Sequence, residues 1–273
     1  MTKGVDISEM NGSVDFAALK KAGVEFVIIR CGFGSDYTDQ DDKRFEENVQ
    51  KAEAAGMPWG TYLYSYAVTT TMAQSEARHT LRLLKGRKPL YGVWYDVEDS
   101  SQVGADLVSL CETYCSALEK AGLYCGIYSM LSWLNGKLNN SRLDRYDKWV
   151  AQWSSSCDYK KPYGMWQYTD SWTIGGKSFD GNYAYKDYPS LTNPKEKEED
   201  DMTEAEVKTI VEKAIEDYFA GLEKKAVSDW AQEAVEFVQS QGLMNGDTDG
   251  NFRPQSPITR QEAAAVLKNV LQK

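Results

Sequence analysis

In the stretch YGVWYDVEDS, residues 91–100, Asp96 and Glu98 stand one residue apart in a segment that otherwise has the composition of a buried strand. Side chains two positions apart on a strand share a face, so both carboxylates, and Trp94 before them, are expected to point the same way. Two acids held together in a partly desolvated pocket do not ionise alike: one keeps its proton and the other carries the charge. Cleavage of a glycosidic bond needs that division, an acid for the leaving oxygen and a carboxylate for the developing positive charge. Asp6 in GVDIS and Asp180 in SFDGN fall in the first and last strand candidates, which become neighbours if the sheet closes. Tyr62, Tyr64, Tyr128, Trp153, Trp166 and Gln167 lie on other strand candidates and offer the flat faces and amide that a saccharide site requires. The competing reading makes the acids solvated turn residues and the aromatics core; the two divide on whether these side chains share a cavity.

Other chemistries lack material. A zinc amidase or peptidase needs histidine ligands, and the chain has one histidine, His79, in the helical stretch SEARHTLRLLKG, where it reads as a solvated polar position. A Cys/His peptidase and a Ser/His/Asp triad meet the same shortage. Five cysteines, an odd number with no C-x-x-C pair, read as reduced and mostly buried thiols; Cys111 and Cys115, four apart on one helix, read as packing. NGDTDGNF places Asn245, Asp247, Asp249 and Gly250 at the first positions of a calcium loop, but the twelfth is Ser256 instead of a bidentate Glu, which favours a tight turn closed by Asp side chains. Neither a metal nor a cofactor is expected.

The catalytic candidates must be carried by an α/β scaffold. Eight strand candidates run from GVDIS to FDGNYAY, and the first five are separated by helical stretches that mostly end in glycine. Strand then helix, repeated, calls for a parallel sheet, and eight strands suggest closure into a TIM-like barrel. The last three strands have short connections, so the barrel should be irregular, with helices missing on one side. Three segments are expected: residues 1–191 as the barrel, 192–225 as an acidic linker and helix, and 226–273 as a small, mostly α-helical module. In the helix Val207, Val211, Ala214, Tyr218 and Leu222 form a near-heptad stripe that calls for a partner surface. The formal charge of −10, most of it beyond residue 190, disfavours nucleic acid and anionic membranes as partners. The N-terminal residues have no apolar signal core, and no run is long enough to span a bilayer.

GVDIS, WYDVED, GIYS, WVAQW, MWQYT and FDGN together resemble glycoside hydrolase family 25, the lysozymes or N-acetylmuramidases of bacteria and phages, over roughly residues 3–190. The resemblance implies a flattened (β/α)5(β)3 barrel with Glu98 as general acid/base. It implies Asp96 as partner, acting either as nucleophile or on the substrate's 2-acetamido group, with Asp6 and Asp180 completing the cluster. It also implies retaining cleavage of the β-1,4 bond from N-acetylmuramic acid to N-acetylglucosamine in peptidoglycan. A glycosidase of chitin-like oligomers and a catalytically silent carbohydrate-binding barrel stay open beside it. Residues 227–270, with W-A, G-x-x-D-G-x-F-x-P and I-T-R-x-E in order, resemble one S-layer homology repeat. That implies attachment to cell-wall polysaccharide through Arg260, with Trp230 and Asp249 beside it; the rival role for Arg260 is a pair with Glu262. Such repeats commonly come in threes and this chain has one, so either binding is weak or chains pool copies through the helix. KEEDDM can be encoded as a ribosome-binding sequence ahead of Met202, so an internally started C-terminal fragment that assembles with the full chain is one expectation, and a plain acidic linker the other. The combined expectation is a phage-type endolysin, made in the bacterial cytoplasm and acting at the wall after release.

Overall fold

A computed structural model describes residues 1–193, 204–223, 225–247 and 251–272. The chain divides into two compact units, Met1–Lys195 and Glu196–Lys273. In the first, the strands are β1 (Thr2–Ile7), β2 (Phe26–Phe33), β3 (Trp59–Tyr64), β4 (Val93–Asp96), β5 (Cys125–Met130), β6 (Asp147–Ala151), β7 (Met165–Ile174) and β8 (Lys177–Ala184). They form a closed barrel in sequence order. Helices α1 (Phe16–Lys21), α2 (Phe45–Ala54), α3 (Thr70–Leu84) and α4 (Leu107–Lys120) join the first five strands, the five-residue α5 (Leu131–Asn135) precedes β6, and α6 (Tyr188–Thr192) ends the unit. The loop from β6 to β7 carries no helix, which leaves one side of the barrel uncovered.

The sheet is parallel except at one strand. β1 to β7 pair in parallel, whereas β8 is antiparallel to both β7 and β1. The cause is local: only Gly175 and Gly176 separate β7 from β8, with φ of +57° and +81°. Two residues of positive φ make a tight hairpin, and a parallel return would need a crossover of about a dozen residues.

Strand alternation sorts the core into two layers. Val27 and Ile29 of β2, Val93 and Tyr95 of β4 and Ile127 of β5 face outward and pack with Leu19, Phe45, Val49, Leu110 and Leu118 of the helices. Phe26 and Ile28, on the other parity, point inward with Tyr91, Trp94, Trp149, Met165 and Tyr188. These rings fill the lower lumen, each fully buried large side chain contributing about 1.5–3 kcal/mol. Gly126 makes room for one of them, since a Cβ there would lie 2.4 Å from the Trp94 ring. The buried indole of Trp94 donates to the Tyr91 carbonyl at 2.8 Å. The barrel is therefore plugged below, and any binding site must open at the strands' upper end.

His79 is a correction to the sequence reading. It is fully buried, with Nδ1 3.0 Å from the Gly34 carbonyl and Nε2 2.8 Å from Asp41 Oδ1. A polar ring can be buried when both nitrogens find partners. Cys31, Cys111, Cys115 and Cys125 are buried free thiols and Cys157 is half-buried.

The second unit contains α7 (Glu204–Glu223), α8 (Gln232–Ser240) and α9 (Arg260–Leu271). Val211, Ile215, Tyr218 and Phe219 of α7 are exposed, and neither α8 nor α9 has a buried residue. The Val207 side chain, Met202 and Asp249 lie outside the described residues. Helix α9 starts at a capping box between Thr259 and Glu262. Asp247 Oδ1 accepts from the Asn251 amide at 2.9 Å, a turn closed by an Asp side chain. Among the described residues no helix is long and apolar enough to cross a membrane.

Candidate active site

Above the aromatic plug the inward side chains turn polar. A cavity of about 200 Å³ is lined by Asp6 of β1, Asp96 of β4, Asp180 of β8 and Glu98, two residues past Asp96. Strand parity continues through the buried Val97, so Asp96 and Glu98 open into the same space. Tyr62 and Tyr64 of β3, Tyr128 of β5 and Gln167 of β7 complete the wall, together with Arg30 and Trp149. The register explains the convergence: Tyr64 pairs with Asp96, Asp96 with Tyr128, and Asp6 with Asp180 across the closing β1–β8 seam.

One polar network fixes the floor. Gln167 Nε2 and Asn182 Nδ2 donate to Asp6 Oδ2 at 3.0 and 2.8 Å. Tyr128 OH donates to Gln167 Oε1 at 3.1 Å, and Trp149 Nε1 to Asn182 Oδ1 at 2.8 Å. Trp153 sits on the rim with its ring exposed, and its Nε1 donates to Gln167 Oε1 at 3.1 Å.

Trp166 does not join them. It immediately precedes Gln167 on β7, so alternation turns it to the opposite face, where its Nε1 donates to the Gln152 carbonyl at 2.8 Å and its ring packs near Tyr168 and Tyr183. Three members of the site escaped the sequence reading: Arg30, Trp149 and Asn182. Each carried a signal in its parity. Arg30 is a charge two residues after the inward Ile28, and Asn182 is two after Asp180.

Burial dominates the electrostatics. It pushes the Asp6 carboxyl well above the usual carboxylate range, with the Asp180 charge adding to it and the Asn182 and Gln167 bonds pulling back. Asp180 is raised by its own burial and eased by a hydrogen bond with Asp6. Asp96 is raised well above its ordinary value by burial, then by Glu98 and Asp6, against the Arg30 guanidinium. Glu98 is raised by burial, then by Asp180 and Asp99. The cluster thus retains protons that solvated carboxyls would lose. Asp96 lines the cavity, and its Oδ1 is buried without a hydrogen-bond partner among the described residues. Among the described residues no group of three or more His, Cys, Asp or Glu is placed to hold a metal ion.

In the second unit Arg260, at the first turn of α9, is exposed and makes no ion pair among the described residues. Glu262 is instead 3.9 Å from Arg253 and bonded to Thr259. Trp230 is 88% exposed.

The family model for glycosyl hydrolases family 25 matches residues 5–177, and the S-layer homology domain model matches residues 224–264. The autolytic lysozyme of Clostridium acetobutylicum is 32% identical over 178 residues, 64% of this chain and 53% of that protein. Among solved structures, the modular autolysin LytC of Streptococcus pneumoniae superposes with a TM-score of 0.60 at 28% identity, covering 66% of this chain and 46% of that one. The chain therefore spans about half the length of these two relatives. The surface-layer 125 kDa protein of Lysinibacillus sphaericus is 41% identical over 46 residues, 17% of this chain and 4% of that protein.

Proposed function

The chain belongs to glycosyl hydrolases family 25, and from that premise we propose that it is a muramidase cutting the β-1,4 bond from N-acetylmuramic acid to N-acetylglucosamine in peptidoglycan. The observation that carries this reading is the single cavity holding Asp6, Asp96, Glu98 and Asp180, all with raised affinity for protons. Glu98, at the more open end, keeps a proton for the leaving oxygen. Asp96, deeper and with one oxygen unpartnered, accepts from the acetamido N–H or meets the anomeric carbon directly; both retaining routes use the same atom. Asp6 and Asp180 hold one proton between them and set the potential felt by Glu98, while Tyr62, Tyr64, Tyr128, Trp153 and Gln167 flank the sugar.

The C-terminal S-layer homology segment would hold the enzyme on wall polysaccharide, with Arg260 as the charged contact and the exposed Trp230 beside it; Asp249 remains part of this proposal. We place the protein in the endolysin class, acting at the bacterial wall after release from the cytoplasm. The exposed apolar residues of α7 suit assembly between chains, including a fragment started at Met202. A short C-terminal product that persists after Met202→Leu would remove that fragment from the scheme.

Glu98→Gln tests the catalytic reading. Turnover should fall on the order of a thousandfold, with the fold and wall binding kept. A variant that digests walls at the parent rate would remove Glu98 from the chemistry, and a parent that digests none would leave the barrel as a silent binding module.

A further inference from the structure

Helix α3 buries Ala73, Ala77, Leu83 and Leu84 against the barrel, and Glu76 stands among them fully buried. A carboxyl placed there is destabilising unless donors meet it. Three do. The Tyr66 amide donates to Glu76 Oε1 at 2.9 Å, and Glu76 Oε2 accepts from Ser65 Oγ at 2.8 Å and from Tyr95 OH at 2.5 Å. Burial raises the affinity of Glu76 for a proton, and these bonds draw it back. The side chain is not part of the acid cavity's wall, and nothing in the chemistry above uses it.

Its partners nevertheless lead to the acids. Tyr95 immediately precedes Asp96 on β4, and Ser65, one residue past β3, gives its amide to the Asp96 carbonyl at 2.9 Å. From the far side, Gln102 Nε2 donates to Ser65 Oγ at 2.9 Å and to the Ala67 carbonyl at 3.0 Å. Gln102 is fully buried and closes the 3-10 turn Ser100–Gln102 that follows Glu98 and Asp99. Tyr95 and Gln102, at the two ends of segment 96–101, are thus tied to one Ser65–Glu76 pair. The tie matters because β4 ends at Asp96, leaving Glu98 two residues beyond the strand. Val97 is still held, its amide on the Tyr128 carbonyl at 3.0 Å and its own carbonyl accepting from Ser129 Oγ at 2.5 Å. Past Val97, the path of the chain through Glu98 depends on where the 3-10 turn is anchored.

We propose that Glu76 is a positioning residue for hydrolysis: through Ser65 and Gln102 it sets where the Glu98 carboxyl stands in the cavity, without touching substrate. The inference rests on the reading of Glu98 as the proton donor. Packing alone would not call for a carboxylate, since an apolar side chain of similar volume fills a buried site at equal or lower cost in stability. What a carboxylate adds is convergence, drawing donors from the end of β3 and from β4 to one point that the turn after Glu98 also reaches. Misplacing a reacting group by about 1 Å can slow a reaction on the order of a hundredfold.

The test uses the full chain on soluble glycan strands, at a temperature where circular dichroism shows each variant folded. Gln102→Ala cuts the tie on the Glu98 side and Glu76→Gln disrupts its hub. Each should lower kcat about ten- to a hundredfold and keep KM within about twofold, because the sugar-binding wall is untouched. The alkaline limb of the pH–rate profile should also move to lower pH, since burial is the largest cause of Glu98's raised proton affinity and a loosened carboxyl is better hydrated. The groups that face Glu98, namely Asp96, Tyr64, Tyr128, Asp180 and Asp99, are unchanged in both variants. The double variant should lie within about twofold of the slower single one, as expected of residues acting along one path. Folded Gln102→Ala or Glu76→Gln protein with the parent kcat and an unmoved limb would overturn the positioning role, as would two effects that multiply; either variant decides alone if the other does not fold. A parent that releases no reducing ends, or a Glu98→Gln chain that hydrolyses at the parent rate, would overturn the function reading and this inference with it.

Discussion

Asn182 is the residue whose removal would expose the site's construction most clearly. It is fully buried, gives a hydrogen bond to Asp6 Oδ2 at 2.8 Å and receives one from Trp149 Nε1 at 2.8 Å. Asn182→Ala leaves the indole N–H without a partner and strips a donor from a carboxyl. Together these cost about 1.5–4.5 kcal/mol, since an orphaned buried donor costs about 1–3 and an ordinary hydrogen bond contributes about 0.5–1.5. For a unit of this size that corresponds to a fall in Tm of about 3–18 °C. Seven of the eight tryptophans precede residue 191, so indole fluorescence follows the barrel's unfolding in the intact chain. The effect carries a pH sign. Asp6 is raised by burial, then by Asp180, and Asn182 pulls it back, so the variant's Asp6 should hold its proton to higher pH still. A carboxyl raised by folding stabilises below its unfolded pKa, and that benefit is lost as pH climbs through the folded value. The Asn182→Ala deficit should therefore grow as pH rises through the folded pKa of Asp6. A Tm within about 2 °C of the parent, or a deficit independent of pH, would refute the idea that Asn182 pins Asp6.

Three further outcomes follow from the geometry. Asp180→Asn removes the charge that, after burial, raises Glu98 most; the alkaline limb of the pH–rate profile should move to lower pH, because Glu98 then loses its proton earlier. Trp166→Ala should cost about 3–5 kcal/mol of stability, as large-to-small core changes do, and leave KM unchanged in a substrate titration, because the ring faces away from the cavity. Arg260→Ala in the full chain should release protein from sedimented walls about tenfold more readily while leaving the rate on soluble glycan strands intact.

Much of this was legible because strands impose a period of two. Asp96 and Glu98 could be placed together from their spacing, and Asp6 and Asp180 from the closure that eight strand patterns imply. The same rule, applied one residue loosely, assigned Trp166 to the site beside Gln167, although adjacent residues cannot share a face. Arg30 and Asn182 were missed because a strand charge and an amide were not followed along their own parity from Ile28 and Asp180. Burial of His79 was hidden because its partners, the Gly34 carbonyl and Asp41, are brought to it by the loop after β2, which no helical pattern reports. The antiparallel β8 was written in Gly175 and Gly176, a turn too short for any crossover.

The central claim is best tested by the chemistry of the new ends. Digestion of purified peptidoglycan by the intact protein, followed by borohydride reduction and mass analysis, should yield reduced N-acetylmuramic acid at fragment termini, and Glu98→Gln should yield none. Reduced N-acetylglucosamine termini, or free amino groups without new reducing ends, would contradict it.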